Sequence, residues 1–210
     1  MIDLYTFPTP NGWKASIMLE ELGLPYNTHI VHIGKDEQFK PEFLKISPNN
    51  KIPAIVDSDG PDGKPISVFE SAAILVYLAQ KTKSNLLPSD PRRFTNVMQW
   101  VFFQMASVGP MFGQYGHFAR MAKVNVPYAI ERYETESKRI IGVMETQLAA
   151  NAYLAGPDYT IADIACHGWM VSAARNFDGL NAWPHVKAWH EKVGARPAVQ
   201  RGLKVPVLPT

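Results

Sequence analysis

Residues 2–22 read "IDLYTFPTPNGWKASIMLEEL": a short apolar run, a polar turn and an amphipathic segment, in that order. "IDLYT" has the alternation of a strand, and Trp13 to Leu22 recurs at helical spacing, with Gly23 placed to close the helix as its C-cap. Between them, "FPTPNG" at 7–12 contains no cysteine, serine or histidine, only Thr9, Asn11 and backbone. A strand-to-helix crossing is where many folds place reactive groups. The stretch therefore raises the question of what such a turn activates.

Outward from it, residues 1–81 continue the alternation of strand and helix. After the first pair come "YNTHIVHI" as a strand, Pro41 to Ile46 as a helix, "PAIVD" and "ISVF" as strands, and Ser71 to Gln80 as a helix with Ile74, Leu75, Leu78 and Ala79 on one apolar stripe. "DSDGPDGKP" predicts a tight turn between the last two strands, while the crossovers predict parallel pairing elsewhere in the sheet. This is a small α/β domain. A polar stretch with helix breakers, "KTKSNLLPSDPRR", marks a linker over 82–91, and from 92 to 210 the pattern is helical throughout. Helices are predicted from Pro91 to about Met105, from Pro127, from Thr160 to about Ala174 and from Pro184 to about Val193. In "YTIAD", Thr160 stands as an N-cap with Asp163 three residues on, a capping-box pattern with Tyr159 and Ile164 placed as a staple.

Composition narrows the function. The chain has 210 residues, enough for a sizeable core, and a net charge of +2 with no basic stripe, which argues against a nucleic-acid partner. Its single cysteine, Cys166, allows neither an internal disulfide nor a protein dithiol pair, as suits a reducing, cytoplasmic setting. The chain enters its first strand without a cationic, apolar leader, and no apolar stretch reaches the ~18 residues needed to span a bilayer, so it reads as soluble and unprocessed. His29 and His32 alternate in a strand, and His185 and His190 flank Trp189. Neither set has a partner at metal-ligand spacing, and no metal is expected. "GPMFGQYGHFARM" has the mixed aromatic and methionine content of a substrate wall or of packing between domains.

Two further stretches offer ligand contacts. In "NKIPAIVDSDG", Pro53 cannot serve a ladder and marks a strand's first residue or a cis turn, which exposes the backbone of Ile52 to an extended ligand. In "VFESAAILVYL", Glu70 and Ser71 stand where a strand meets a helix: the helix amides attract a carboxylate and Glu70 an ammonium. A ligand with an amino acid head and a peptide-like middle fits both. Taken singly, Ser71 reads as a plain helix cap and Pro53 as a turn residue; the combination with the first strand-turn-helix and the all-helical second half is what makes them specific.

These residues carry a resemblance over essentially the whole chain. "PTPNGWK", "ISPNNKIPAIVD", "FESAAILVYLA", "GPMFGQ", "PYAIERY" and "YTIADIAC" resemble the glutathione transferase family, and "TPNG" with "PYAIERY" is similar to its Nu class. The resemblance implies an α/β thioredoxin-like N-terminal domain followed by an all-α C-terminal domain, a homodimer, and glutathione as co-substrate. Thr9 and Asn11 then match the pair beside the glutathione sulfur. Gln38, the Ile52 backbone, Glu70 and Ser71 match glutathione contacts, with Lys51 adjacent, and Arg132 matches a helical-domain arginine that reaches the ligand. Tyr5, the tempting phenol, is not catalytic in this class.

The implied activity is glutathione-dependent disulfide reduction, in which the reactive sulfur belongs to glutathione and not to the protein. Conjugation of glutathione to an electrophile and a non-catalytic regulatory module are the competing readings. A thiol with a pKa of about 8.5 becomes mostly thiolate when hydrogen-bond donors lower that value by roughly two units, a change of about 2.7 kcal/mol.

Overall fold

The computed structural model describes residues 1–208. The chain divides into two compact units, one of Met1–Leu87 with the described residues from Ala195 on, the other Pro88–Gly194.

The first unit is built on a mixed sheet. Its strands are β1 (Ile2–Thr6), β2 (Tyr26–Ile30), β3 (Ala54–Asp57) and β4 (Ile66–Phe69), in the spatial order β2-β1-β3-β4. β1 pairs in parallel with β2, in the register Leu4↔Thr28, because helix α1 (Gly12–Leu22) carries the chain back across the sheet between them. The expected parallel pairing stops there. β3 runs antiparallel to β1, with Leu4↔Ile55, and β4 antiparallel to β3. The chain between β2 and β3 returns β3 in the reverse sense by way of two short 3₁₀ turns and the brief helix α2 (Pro41–Leu44). The β3–β4 connection spans 58–65 and contains a 3₁₀ turn at Pro61–Gly63, longer than the tight turn the sequence suggested.

Alternation in β1 separates two layers. Ile2, Leu4 and Thr6 are buried on the face covered by α1 and α3 (Ser71–Lys81), together with Ile17, Met18, Leu19, Ile74, Leu75 and Leu78. On the other face Tyr5 packs with Val31, Phe43, Ile46 and Ile52. β2 is shorter than "YNTHIVHI" suggested. It ends at Ile30, and His32 lies beyond it at the start of a 3₁₀ turn, its backbone N–H donating to the Glu37 carboxylate at 2.7 Å.

The second unit contains α4 (Pro91–Phe103), α5 (Gly109–Gly116), α6 (Pro127–Ala150), α7 (Ile161–Asn176) and α8 (Pro184–Gly194). α4 ends at Phe103, close to the expected Met105, and a π-helical turn over Gln104–Val108 joins it to α5. Pro110 explains the widening, since it lacks an N–H and its ring crowds the carbonyl four residues earlier. "GPMFGQYGHFARM" is accordingly helical, α5 followed by a second π turn at His117–Met121. α7 is buried on nearly every side through its first half, and Cys166 there has no exposed surface.

Two helices went unread in the sequence, α5 and α9 (Pro197–Gly202). α9 packs on α1, so the chain from Ala195 on groups with the first unit and not with the helical half where the sequence pattern kept it. The contact is close. A Cβ on Gly202 would lie 2.6 Å from Ile17 Cα, Ser16 Oγ donates to the Gly202 carbonyl at 2.7 Å, and Arg196 holds Glu21 with two hydrogen bonds of 2.6 and 2.8 Å.

Candidate functional site

The turn at 7–12 is shaped by its own backbone. A Cβ on Gly12 would sit 2.2 Å from the Phe7 carbonyl oxygen and 2.6 Å from Thr6 Oγ1, so no larger residue lets the turn close this tightly. Gly12 N donates to Thr9 Oγ1 at 3.1 Å, Trp13 N to the Thr9 carbonyl at 3.0 Å and Lys14 N to the Asn11 carbonyl at 3.3 Å. The amides at the start of α1 are therefore turned inward.

Thr9 is half-buried and accepts from Gly12 N, so its hydroxyl hydrogen is aimed away from that amide and is available to a ligand. Asn11 occupies the N-cap position in αR conformation, φ −81° and ψ −39°, and its side chain does not cap the helix. Tyr5 lies on the opposite face of β1 from the core, stacked on His29 at 4.6 Å, and burial pushes its phenol above the ordinary value, the wrong direction for an activated phenolate.

The second cluster lies at the start of α3. Glu70 is exposed and holds φ 71°, ψ 116°, a left-handed conformation that costs a residue with a Cβ on the order of 1–3 kcal/mol and concentrates at ligand sites. The first bond of the helix runs from Ile74 N to the Glu70 carbonyl at 3.0 Å, so the amides of Ala72 and Ala73 precede the ladder and point toward whatever lies off the helix end. Ser71 is the first helical residue, not the cap, and is 4% exposed.

Lys14 joins the two clusters. Its side chain is 1% exposed and its Nζ donates to Ser71 Oγ at 3.1 Å, across 57 residues of chain. The sequence reading missed it, although a signal was present: Lys14 falls three and four residues before Ile17 and Met18, on the buried stripe of α1.

Ile52 precedes a cis bond to Pro53, and β3 begins one residue later with Ala54 opposite Tyr5. The Ile52 backbone thus lies just past the ladder. Lys51 is exposed, and its carbonyl accepts from the buried Ser47 hydroxyl at 2.8 Å, which pins the loop. Gln38, in the turn Glu37–Phe39, has a buried Oε1 with no partner among the described residues. Arg132 belongs to the second unit. It is exposed on α6 and lines a cleft of about 520 Å³ with Met111, Tyr128, Glu131, Tyr133 and Glu136. Among the described residues, no three His, Cys, Asp or Glu side chains are grouped to hold a metal ion, and no helix is long and apolar enough to cross a membrane.

A four-stranded mixed sheet flanked by helices, followed by a helical unit, is the thioredoxin-like and all-α pairing of the glutathione transferase fold. The chain belongs to the glutathione S-transferase family. Residues 9–81 match the family's N-terminal domain and residues 110–197 its C-terminal domain. It is 48% identical to the disulfide-bond oxidoreductase YfcG of Escherichia coli K12, over 97% of this chain and 94% of that protein. A glutathione transferase from Burkholderia graminis, solved with two glutathione molecules bound per subunit, superposes with a TM-score of 0.94 at 46% identity, covering 99% of this chain and 89% of the other. Another from Pseudomonas putida, with one glutathione disulfide bound per subunit, gives 0.92 at 44% identity, over 98% and 91%.

Proposed function

We propose that the protein is a glutathione-dependent disulfide reductase of the Nu class that borrows both of its reactive thiols. The carrying observation is the Thr9 hydroxyl, whose acceptor side is engaged by Gly12 N at 3.1 Å and whose hydrogen is thereby turned to donate. On this reading Thr9 and Asn11 stabilise the thiolate of a bound glutathione. That thiolate attacks one sulfur of the substrate disulfide, expelling the other half as a thiolate that takes up a proton. A second glutathione thiolate then attacks the mixed disulfide, giving glutathione disulfide and releasing the remaining substrate thiol. Glu70 and Ser71 take the amino acid head, the Ile52 backbone pairs with the peptide, and Gln38 and Lys51 flank it. For Arg132 the assignment rests on the resemblance alone.

Cys166 takes no part. It is fully buried on α7, and it has no second cysteine with which to resolve a mixed disulfide. Proteins named for this chemistry at 48% identity support the reading, as do relatives that hold two glutathiones or their disulfide. The same thiolate would add to an electrophile, so the assay needs both arms. Glutathione-dependent reduction of bis(hydroxyethyl) disulfide should proceed in the wild type and persist in Cys166→Ser, with slower conjugation to chlorodinitrobenzene. Loss of reduction in the serine variant together with an accumulating glutathione adduct on the protein would overturn the borrowed-thiol mechanism. Conjugation that outpaces reduction would make it a transferase in the stricter sense. We further propose a cytoplasmic homodimer; sedimentation as a 23.5 kDa monomer would contradict it.

A further inference from the structure

We infer that Glu37 is a positioning residue for Gln38: its carboxylate accepts the backbone N–H of His32 and so fixes the loop 32–39, on which Gln38 stands, beside the turn that carries Thr9. The inference rests on the reading that Gln38 flanks bound glutathione, and it adds the residue that sets where Gln38 stands.

β1 and β2 run parallel and end opposite each other at Thr6 and Ile30. The turn 7–12 and the loop after β2 therefore leave the sheet at the same end, where open α/β sheets receive their ligands. The ladder closes with Val31 N donating to the Thr6 carbonyl at 3.0 Å, and His32 N lies past it. Glu37 supplies the missing acceptor. Its Oε2 takes the His32 N–H at 2.7 Å, while Glu37 N returns a longer bond of 3.4 Å to the His32 carbonyl, so residues 32 and 37 are tied from both sides. The tie matters because the segment between is weakly structured: two three-residue 3₁₀ turns joined by Asp36 in left-handed conformation, φ 58° and ψ 22°.

The bond from His32 holds the Glu37 carboxyl below the ordinary carboxylate range, so at neutral pH it is a charged acceptor, the stronger kind. Lys40, bonded to Glu37 Oε1 at 3.1 Å, is half-exposed, and such a pair adds little. At the other end the His32 ring packs on Phe7 with centroids 4.8 Å apart, and Phe7 is the first residue of the Thr9 turn. Phe7, His32, Glu37 and Gln38 thus form one connected path. Gln38 buries its Oε1 without a partner among the described residues, which leaves its Nε2 hydrogens to meet a ligand. Such a donor serves only at a fixed place, and Glu37 fixes it.

Calorimetric titration of the whole protein with reduced glutathione tests the role. Glu37→Leu should weaken binding about fivefold to tenfold, and Glu37→Gln, which keeps an acceptor oxygen of the same reach, should recover most of that loss. Gln38→Ala should weaken binding to a similar degree. Adding Glu37→Leu to it should cost about twofold more at most, because a residue that acts through Gln38 then has nothing left to position. In steady-state assays the loss should fall on KM for glutathione with kcat little altered. Losses that multiply in the double variant, an unchanged affinity in Glu37→Leu, or a Glu37→Gln variant as weak as Glu37→Leu would each overturn the inference while leaving Gln38 in its place. A Gln38→Ala variant that binds glutathione as the wild type does would overturn the underlying reading of Gln38, and the inference with it.

Discussion

Two threonines stand at the start of a helix in this chain and are used in opposite ways. Thr160, 3% exposed, is a complete N-cap: its hydroxyl accepts from Ala162 N at 3.3 Å and donates to the Asp163 carboxylate at 3.3 Å, and Asp163 accepts in return from Thr160 N at 2.9 Å. Asp163 also takes Leu154 N at 3.0 Å and Trp189 Nε1 at 2.8 Å, so a fully buried carboxylate is met by four donors. Burial pushes that carboxyl up, and the four donors pull it back. Thr9 is half-exposed. It accepts one amide from within its turn, and its hydrogen is left for something else. The same side chain closes one helix and leaves the other open. The difference teaches that the residue type does not tell a hydroxyl spent inside the fold from one left open to a ligand; the count of internal partners around it does.

If the contrast is real, substitutions in the closed region should cost stability and substitutions in the open one should cost turnover. The largest effect is expected at Asp163. Asp163→Ala strands the Leu154 and Thr160 amides and the Trp189 indole N–H in a dry interior, and should lower unfolding free energy by about 3–5 kcal/mol in urea denaturation. A loss below 1 kcal/mol would mean the network is wetter than its burial indicates.

Thr9→Ala should do the converse. Turnover in disulfide reduction should slow by about 1–3 kcal/mol of lost transition-state stabilisation, with the denaturation midpoint nearly unmoved. Equal damage to stability would erase the distinction between the two threonines.

The closed region carries a pH dependence of predictable sign. His167, 1% exposed on α7, is held neutral by burial, its pKa pushed down to about 3, and His190 stacked on it at 4.7 Å is also lowered by burial. Above its ordinary pKa of about 6.5 both folded and unfolded chains leave it neutral, and stability is whole. As pH falls from there toward 3, the unfolded chain binds a proton that the fold refuses, and stability drops by up to about 1.4 kcal/mol per pH unit. Denaturation at pH 7 and pH 5, compared with His167→Leu, isolates the effect; a variant with the same pH slope as the wild type would rule it out.

The smallest effect sharpens the pair. Thr160→Ala should cost about 1 kcal/mol of stability and leave the Michaelis parameters for glutathione in place, because Asp163 still holds the Thr160 amide.

Reading the sequence against this architecture separates local from distant information. The strand-turn-helix at 2–22, Gly23 as an αL cap at φ 62°, and the capping box at Thr160 were legible because each is decided within about five residues by hydrogen bonds and backbone conformations that the residues themselves prefer. Thr9, Asn11, Glu70 and Ser71 could be singled out as candidates because they occupy the ends of such local elements. His32 was misplaced in a strand because the alternation continues past Ile30, whereas pairing stops where β1 itself ends at Thr6. The antiparallel β3 was missed because strand direction depends on the path of the whole connection.

The sequence by itself determined the two-part architecture, the helix starts and the place of the Thr9 turn between β1 and α1, since periodicity and capping are properties of neighbouring residues. Only the tertiary structure decided that α9 belongs with α1, where Gly202 must lack a side chain to meet Ile17, and that the Lys14 side chain is buried against Ser71. Both contacts join residues far apart in the chain, 186 positions in the case of Ser16 and Gly202 and 57 in the case of Lys14 and Ser71. A charged residue on an amphipathic helix is ordinarily solvated, and only the arrival of a distant partner turns it inward.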